Sequence, residues 1–266
     1  MRSKTAVLAV LFIIAMSLVA VFASVVAPKN PDEQQLSARL EAPRAHSLLG
    51  TDDLGRDVFS RIVYGARVSL SVGITAMAIA VLLGTLLGLL SGYFGGITDM
   101  VIMRLTDIML CFPTFFLVLL VIAFLEPNIN NVMVVIGLTS WPGLTRLVRA
   151  EVMSVKERDF IKAAELLGIS HIRIFIVHLL PNVISVILVF AALGIGDAIL
   201  TESGLSFLGL GVQPPQSSWG QMITSGKDYI YMAWWLTLFP GLAIMLTVLS
   251  FNLLGESIRD ALDPKS

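Results

Sequence analysis

The chain has 266 residues, of which 56% are hydrophobic and 14% are charged. Soluble domains carry about 25% charged residues, so this composition predicts an integral membrane protein. The formal net charge of −1 gives no electrostatic basis for binding nucleic acid, and a single cysteine, Cys111, excludes an internal disulfide and a cysteine metal cluster.

Six apolar stretches are candidates for membrane-spanning helices, each of which needs about 20 residues. In chain order they are 5–28, 68–98, 108–125, 132–145, 174–196 and 229–255. The apolar core of the first is longer than the roughly 7 to 15 residues of a signal peptide, so we expect it to be retained as a span. The fourth is short, but Arg146 and Arg149 can snorkel at its end. The sequence therefore predicts an all-α membrane protein with about six transmembrane helices.

The distribution of basic residues predicts the orientation of the chain. An even number of spans places both termini on one side of the membrane. Basic residues flank the spans at that side: Arg2, Lys4, Arg259 and Lys265. Residues 146–173 fall on the same side and carry six more. By the positive-inside rule, the N- and C-termini and this segment are predicted to be cytoplasmic.

Residues 46–67 are predicted to form an amphipathic segment at the outer membrane surface, before the second span. The predicted apolar face consists of Val58, Phe59, Ile62, Val63 and Ala66. The predicted polar face consists of Arg61, Tyr64 and Arg67. Asp57 and Arg61 are four residues apart, so we expect their side chains to pair.

Residues 150–175 are predicted to form a hairpin of two helices between two spans. The apolar face of the first helix is predicted to consist of Phe160, Ile161, Ala164 and Leu167. Gly168 suits the position just after a helix, where a positive φ is needed, and Ser170 can cap the next helix. Pro181 lies inside that next helix and is expected to kink it. A hairpin of this kind suits contact with a soluble partner, and a solvated loop without a partner is the alternative.

Asp197 and Glu202 are candidates for the transport pathway or its gate. A charge in an apolar segment is costly and usually pairs, faces a cavity or lies at a boundary. Glu202 lies in a glycine-rich block, residues 191–220, that is predicted to be too broken for a straight span. Such backbone is tolerated at membrane depth where it is buried in protein or lines a cavity. Arg104 and Asp107 are three residues apart and are expected to pair.

Three blocks of the sequence resemble the permease subunits of ABC importers for dipeptides, oligopeptides or nickel. One is the pattern Glu-Ala-Ala, three residues, Gly, nine residues, Ile, one residue, Leu-Pro. The chain has Lys162 in place of the Glu and His178 in place of the Ile. The matching positions are Ala163, Ala164, Gly168, Leu180 and Pro181. The other blocks are Leu-Gly-Thr-Asp, two residues, Gly-Arg-Asp at 49–57, and residues 191–220 with the tail 252–264.

The resemblance implies a type I ABC importer permease fold and a multi-pass location in the plasma or inner membrane of a bacterium or archaeon. It divides the chain into an N-terminal helix and external linker (1–45), the interfacial segment (46–67) and a permease domain (68–266). It implies that the hairpin at about 150–175 docks onto an ATPase. The residues expected to couple to that ATPase are Lys162, Ala163, Ala164, Glu165, Gly168, Leu180 and Pro181.

The expected function is therefore that of a transmembrane permease subunit rather than an enzyme. The sequence contains no G-x-x-x-x-G-K-[ST] phosphate loop, so hydrolysis by that means is not expected on this chain. No cofactor or metal is expected on the chain, and ATP and Mg are expected on partner ATPases. The resemblance implies four kinds of partner: a second homologous permease, two ABC ATPases, an extracytoplasmic solute-binding protein and membrane lipid.

The predicted substrate is a dipeptide or oligopeptide, with nickel or another small solute or metal chelate as the alternative. A stand-alone secondary transporter is less favoured, because the sequence has no inverted-repeat signal. A membrane scaffold for a soluble enzyme would also fit the hairpin, but it gives no reason for the glycine-rich block or for Asp197.

Overall fold

The computed structural model describes residues 4–126 and 128–262, and its longer elements are helices. In chain order the helices are α1 (Lys4–Val21), α2 (Ala23–Val26), α3 (Val58–Phe94), α4 (Gly96–Leu110), α5 (Thr114–Ala123), α6 (Ile129–Lys156), α7 (Asp159–Leu166), α8 (His171–Arg173), α9 (Leu180–Phe207), α10 (Trp219–Gly226) and α11 (Trp235–Leu262). A π-helical segment, Ile174–Leu179, joins α8 to α9. Arg2, Lys265 and the last residues of the C-terminal block lie outside the described residues.

Within the described residues, four helical segments are long and apolar enough to cross a membrane: α1, α3, the continuous stretch His171–Phe207, and α11. The helices α4 and α5 are bent by 83° at a short break and would form a fifth span if they cross together. The helix α6 has 28 residues, about 42 Å at 1.5 Å per residue, but it is not apolar enough to count as a membrane span by itself. The predicted all-α membrane fold is confirmed, and the predicted third and fourth spans correspond to the bent pair and to α6.

A stripe of glycines lets α3 and α6 approach closely. Gly84, Gly88 and Gly92 face α6, and a Cβ atom added to each would lie 2.7–2.9 Å from a side-chain Cβ of that helix. Small residues at four-residue spacing are a common device for packing helices in membranes, where close contact replaces the hydrophobic effect. This close packing makes α3 and α6 the rigid centre of the fold.

The outer segment before α3 folds back over the start of that helix. Asp57 caps α3 by accepting hydrogen bonds from the Ser60 N–H (2.9 Å) and the Ser60 hydroxyl (2.8 Å). Arg61 is 2% exposed, and its Nε lies 3.6 Å from Asp52 Oδ2. The predicted Asp57–Arg61 pair is therefore wrong, because Asp57 is used as the helix cap. From here on, "the cap" means residues 28–57 together with α10.

The predicted interfacial segment does not form a separate helix. From Val58 onward its residues are the first turns of α3, which continues without a break to Phe94. Arg61 belongs to the predicted polar face, but a loop and α10 pack over it and bury it. Tyr64 is half-buried and Arg67 is exposed, so only the first turn of the polar face becomes interior.

One prediction about α9 needs correction. Residues 191–220 were expected to form a broken segment, but residues 191–207 are helical, and the helix ends only at Phe207. Pro181 lies in the first turn of α9, directly after the π-helical turns of Ile174–Leu179, and the kink expected there stays a prediction. Proline donates no N–H and its ring crowds the preceding turn, so a widened turn accommodates it without ending the span.

Candidate functional site

The hairpin between α6 and α9 ends its first helix at a glycine. Gly168 has φ +70, and its N–H donates to the Glu165 carbonyl (3.0 Å), while the Ile169 N–H donates to the Ala164 carbonyl (3.1 Å). This pair of hydrogen bonds defines a Schellman helix end, which needs a left-handed residue. The predicted conformation of Gly168 is confirmed. Ser170 occupies the cap position of α8, but its side chain makes no capping hydrogen bond.

The buried face of α7 is narrower than the sequence predicts. Ile161 and Ala164 are buried in a cluster with residues of α6 and the π-helical segment. Phe160 and Leu167 are exposed, contrary to the prediction. The glycine turn carries the chain back so that Ile169, rather than Leu167, packs against this cluster. The hairpin therefore has one face fixed to the spans and one face free.

The free face of the hairpin is apolar with charged neighbours. Leu166, Leu167 and Ile172 are 89%, 80% and 72% exposed. These three residues are called the apolar patch. The expected coupling residues Lys162, Ala163 and Glu165 are also exposed. Leu180 and Pro181 lie further along, at the start of α9, and are not part of the patch.

Lys162, which replaces the glutamate of the docking pattern, forms an ion pair within the hairpin. Its Nζ lies 3.0 Å from Glu157 Oε2. The hydrogen bond from Lys162 lowers the pKa of the Glu157 carboxyl. Both side chains are exposed, so the pair orders the hairpin surface rather than its interior.

Polar contacts tie the hairpin to α3. Lys156 Nζ donates to the Tyr93 carbonyl (2.6 Å), and the Tyr93 hydroxyl lies 2.9 Å from His171 Nδ1. These contacts join the end of α6 and the start of α8 to the last turn of α3. The hairpin is therefore in contact with α3 as well as with α6 and α9, which it connects.

The predicted Arg104–Asp107 pair is wrong. Arg146 of α6 donates to Asp107 Oδ1 (2.6 Å) instead. One turn further along α6, Arg149 donates two hydrogen bonds to Asp99 (2.5 and 2.6 Å). An arginine on a neighbouring helix thus replaces the local partner and fastens α4 to α6.

Asp197 lines a cavity of about 260 Å³ between α9 and the helices α3 to α6. The stripe of α9 that faces it consists of Phe190, Gly194, Asp197, Ala198 and Thr201. The opposite wall on α6 consists of Ile136, Thr139, Ser140, Pro142 and Gly143. Spacings of three and four residues explain both stripes, because they repeat one face of a helix. The sequence singled out Asp197, but the hydroxyl residues of both walls were missed, since short polar residues in a span give no distinctive signal.

Glu202 lies on a different face of α9 and does not line this cavity. It is fully buried, and its Oε1 accepts hydrogen bonds from the hydroxyls of Ser206 (2.7 Å) and Ser218 (2.8 Å). Ser218 also caps α10. Glu202 and Asp197 are five positions apart, which places their side chains on different faces of α9. Asp197 faces the cavity, whereas Glu202 fastens α9 to the cap.

Comparisons with known proteins agree on the type of protein. Residues 84–266 match the family model for the binding-protein-dependent transport system inner membrane component, and residues 1–43 match the N-terminal TM domain of oligopeptide transport permease C. The dipeptide transport system permease protein DppC of Alkalihalophilus pseudofirmus is 45% identical over 99% of this chain and 87% of the relative.

The names of two further relatives give slightly different substrates. The di/tripeptide transport system permease protein DppC of Pseudomonas aeruginosa is 44% identical over 99% of this chain and 89% of its own. The glutathione transport system permease protein GsiD of Pectobacterium atrosepticum is 41% identical over 100% of this chain and 88% of its own.

A solved structure resembles the fold. The match is to the MetNI methionine ABC transporter in an inward-facing conformation, with a TM-score of 0.59 and 17% identity over 76% of this chain and 96% of the other. At this identity the likeness concerns the fold.

Proposed function

Because the chain belongs to the family of binding-protein-dependent transport system inner membrane components, we propose that it forms the pathway for short peptides in an ATP-driven importer. It is a multi-pass inner-membrane permease subunit of the ABC importer class. The observation that carries the peptide proposal is the identity of 41–45% over nearly the whole chain with permeases named for dipeptides, di/tripeptides or glutathione. These relatives favour a peptide over the nickel alternative.

The proposed assembly contains a second homologous permease, two ATPases and an extracytoplasmic binding protein. Family membership supports this composition in general. ATP and Mg would be bound by the ATPases, and this chain would supply one wall of the pathway and one docking hairpin. The orientation from the positive-inside rule places the hairpin in the cytoplasm, where ATP is available, and the cap outside, where a binding protein can reach it.

The apolar patch is the proposed contact with the ATPase. An interface needs an apolar centre with a polar rim, and Leu166, Leu167 and Ile172 are surrounded by Lys162 and Glu165. The buried face of α7 supports the proposed coupling, because Ile161 and Ala164 fix the hairpin to the spans. Closure of the ATPases would then move the hairpin and the base of α9 together.

The test is purification of the tagged complex from native membranes in mild detergent, with Leu167→Asp against Leu48→Asp. Both leucines are largely exposed, but Leu48 lies in the cap. We expect Leu167→Asp to lose the ATPases while keeping the second permease, and Leu48→Asp to keep both. Retention of the ATPases by Leu167→Asp would refute the docking role.

The substrate is tested with the wild-type complex reconstituted in proteoliposomes with its binding protein. Uptake of dipeptides, driven by ATP, is the expected result. Turnover stimulated only by a nickel chelate would instead favour the alternative substrate, and a chain that purifies alone under conditions that preserve known complexes would favour a secondary transporter.

A further inference from the structure

We infer that the Asp197 cavity binds the α-ammonium group of the transported peptide, with the Asp197 carboxylate as the counter-ion. This inference rests on the proposed function, since it assigns one chemical group of the peptide to one place on the pathway. The ammonium group is common to every peptide with a free N-terminus, so a site for it suits a transporter that accepts varied side chains.

The first observation is the charge of the cavity. Among the described residues that line it, Asp197 is the charged one. Within residues 4–126 and 128–262, no hydrogen bond or ion pair satisfies its carboxylate, in contrast to the carboxylate of Glu202, which accepts two hydroxyl hydrogen bonds. An ionisable side chain inside a membrane protein that faces a cavity marks a ligand or ion pathway by default. One carboxylate balances one ammonium group.

The second observation is the direction of the hydroxyl hydrogen bonds. The hydroxyls of Thr139, Ser140 and Thr201 donate to backbone carbonyls of their own helices, at 2.8, 2.7 and 2.8 Å. A hydroxyl has one hydrogen to donate and two lone pairs that accept. Because each hydrogen is directed at the helix backbone, these three groups can offer a ligand only acceptors.

The third observation is Pro142 in the middle of α6, which also lines the cavity. Proline has no N–H, so the Leu138 carbonyl, four residues earlier, lacks its usual helical donor. Apart from the Thr114 hydroxyl, which also lines the cavity, the polar side chains around it are thus a carboxylate and hydroxyl oxygens that accept, and α6 adds a carbonyl without its helical donor. An ammonium group has three donors and no acceptor, and it complements this set.

The cavity and the hairpin are connected by one continuous helical span. Asp197 lies within α9, ten residues or about 15 Å before the end of the helix that is remote from the hairpin. The same continuous span begins at His171 in the hairpin. Movement of the hairpin would therefore change the separation between the α9 and α6 walls, which is what capture and release of a bound group require.

The first experiment measures the charge preference of the cavity without any peptide. Thr201→Cys in a Cys111→Ser background places a single thiol beside Asp197. The assembled complex is treated with two methanethiosulfonates, one with a quaternary ammonium and one with a sulfonate. We expect the cationic reagent to react faster and the ratio of the two rates to fall about 10-fold or more when Asp197→Asn is added, because the Coulomb attraction of a nearby carboxylate for a cation is lost.

Leu36→Cys in the cap is the matched control, because its side chain is exposed far from the cavity. Its rate ratio should not respond to Asp197→Asn. An unchanged ratio at Thr201→Cys would overturn the inference. Absence of reaction with either reagent, in both the resting and the ATP-consuming complex, would overturn it as well, because a peptide could not then reach Asp197.

The second experiment measures ATP-driven dipeptide uptake in proteoliposomes. Asp197→Asn should lower uptake about 10-fold or more, Asp197→Glu should retain part of it, and Asp228→Asn, which removes an exposed carboxylate of the cap side, should leave it unchanged. Normal uptake by Asp197→Asn would overturn the inference. Failure of the wild-type complex to import any peptide would refute the proposed function itself, and this is seen before any variant is compared.

Discussion

The cap and the hairpin lie at opposite ends of α3 and are held in opposite ways. Asp52 and Arg56 of the cap and Arg61 of α3 beneath it are buried and joined by ion pairs, with Arg56 Nε 2.7 Å from Asp52 Oδ2. In the hairpin, the Lys162–Glu157 pair has side chains that are 53% and 76% exposed. The comparison shows two uses of charge in one chain: a fixed interior at one end and an adaptable surface at the other.

The physical reason for the difference is the surroundings of each charge. A buried charge that loses its partner pays its full desolvation cost, so a buried network is broken only at a large free-energy cost. An exposed pair exchanges its partner for water at little cost, so its residues remain available to a partner protein. The cap is therefore suited to hold its shape while other proteins dock, and the hairpin is suited to form contacts that change during a transport cycle.

The largest effect is expected from Arg61→Met, beneath the cap. It removes a guanidinium that lies 3.6 Å from Asp52 and donates to Gln221 Oε1 (3.1 Å) and to the Pro31 carbonyl (3.5 Å). Asp52 keeps its closer pair with Arg56, but each of the other two buried acceptors is left without its donor at a cost of about 1–3 kcal/mol, so we expect a large fall in the thermal unfolding midpoint of the purified complex. Arg44→Met, at an exposed arginine of the cap, is the control. Equal midpoints for the two variants would contradict the buried network.

A smaller effect is expected where the cap joins α9. Glu202→Ala leaves the hydroxyls of Ser206 and Ser218 without their acceptor and creates a small void. Loss of a buried hydrogen-bonding partner costs about 1–3 kcal/mol. Limited proteolysis of the 208–218 loop should become faster, whereas Glu33→Ala, at an exposed glutamate, should not change it. A loop that stays resistant in Glu202→Ala would show that this junction is held by other contacts.

The turn of the hairpin is tested by comparing alanine substitutions at two glycines, Gly168 and Gly241. A Cβ added to Gly168 or to Gly241 meets no atom within 4 Å, but only Gly168 has a positive φ. Gly168→Ala should therefore cost about 1–2 kcal/mol through backbone strain alone, and Gly241→Ala should cost almost nothing. Hydrogen exchange at the end of α7 and ATP-driven uptake measure the result. Equal exchange in both variants would mean that the turn relaxes into another conformation.

The same two regions show what the sequence could predict. Gly168 was predictable because a helix end and its left-handed residue are set by neighbours along the chain. The partners of Arg61 were not, because Asp52 and Gln221 reach it through folding of the cap, and a helical pattern cannot show which face a distant loop will cover. The same limit applies to Asp107, whose partner is on another helix.

The two candidate sites, Asp197 and Glu202, also show that local features are predictable from the sequence and contacts with distant residues are not. Asp197 was identified because a charge in an apolar span stands out on its own. Its cavity was not, because the wall on α6 is contributed by residues about 55 positions earlier, whose hydroxyls are unremarkable in sequence. Glu202 was identified for the same reason as Asp197, but only the structure separates a residue that holds the cap from one that faces a cavity.

The smallest effect is expected from the ion pair of the hairpin, and it depends on pH. The pKa of Glu157 is lowered by the hydrogen bond from Lys162, so the pair adds stability above the ordinary pKa of a glutamate, about 4.3. That contribution is lost as the pH falls through the lowered pKa that Glu157 has in the folded protein.

The change to test is Lys162→Met. It should reduce the protection of α7 amides from hydrogen exchange slightly at pH 7 and leave it unchanged in strong acid. Lys227→Met, at a lysine beside the cap, should change neither. A difference that persists in acid would mean that Lys162 acts through the packing of its alkyl chain, and the contrast between a buried network and an exposed pair would then need to be redrawn.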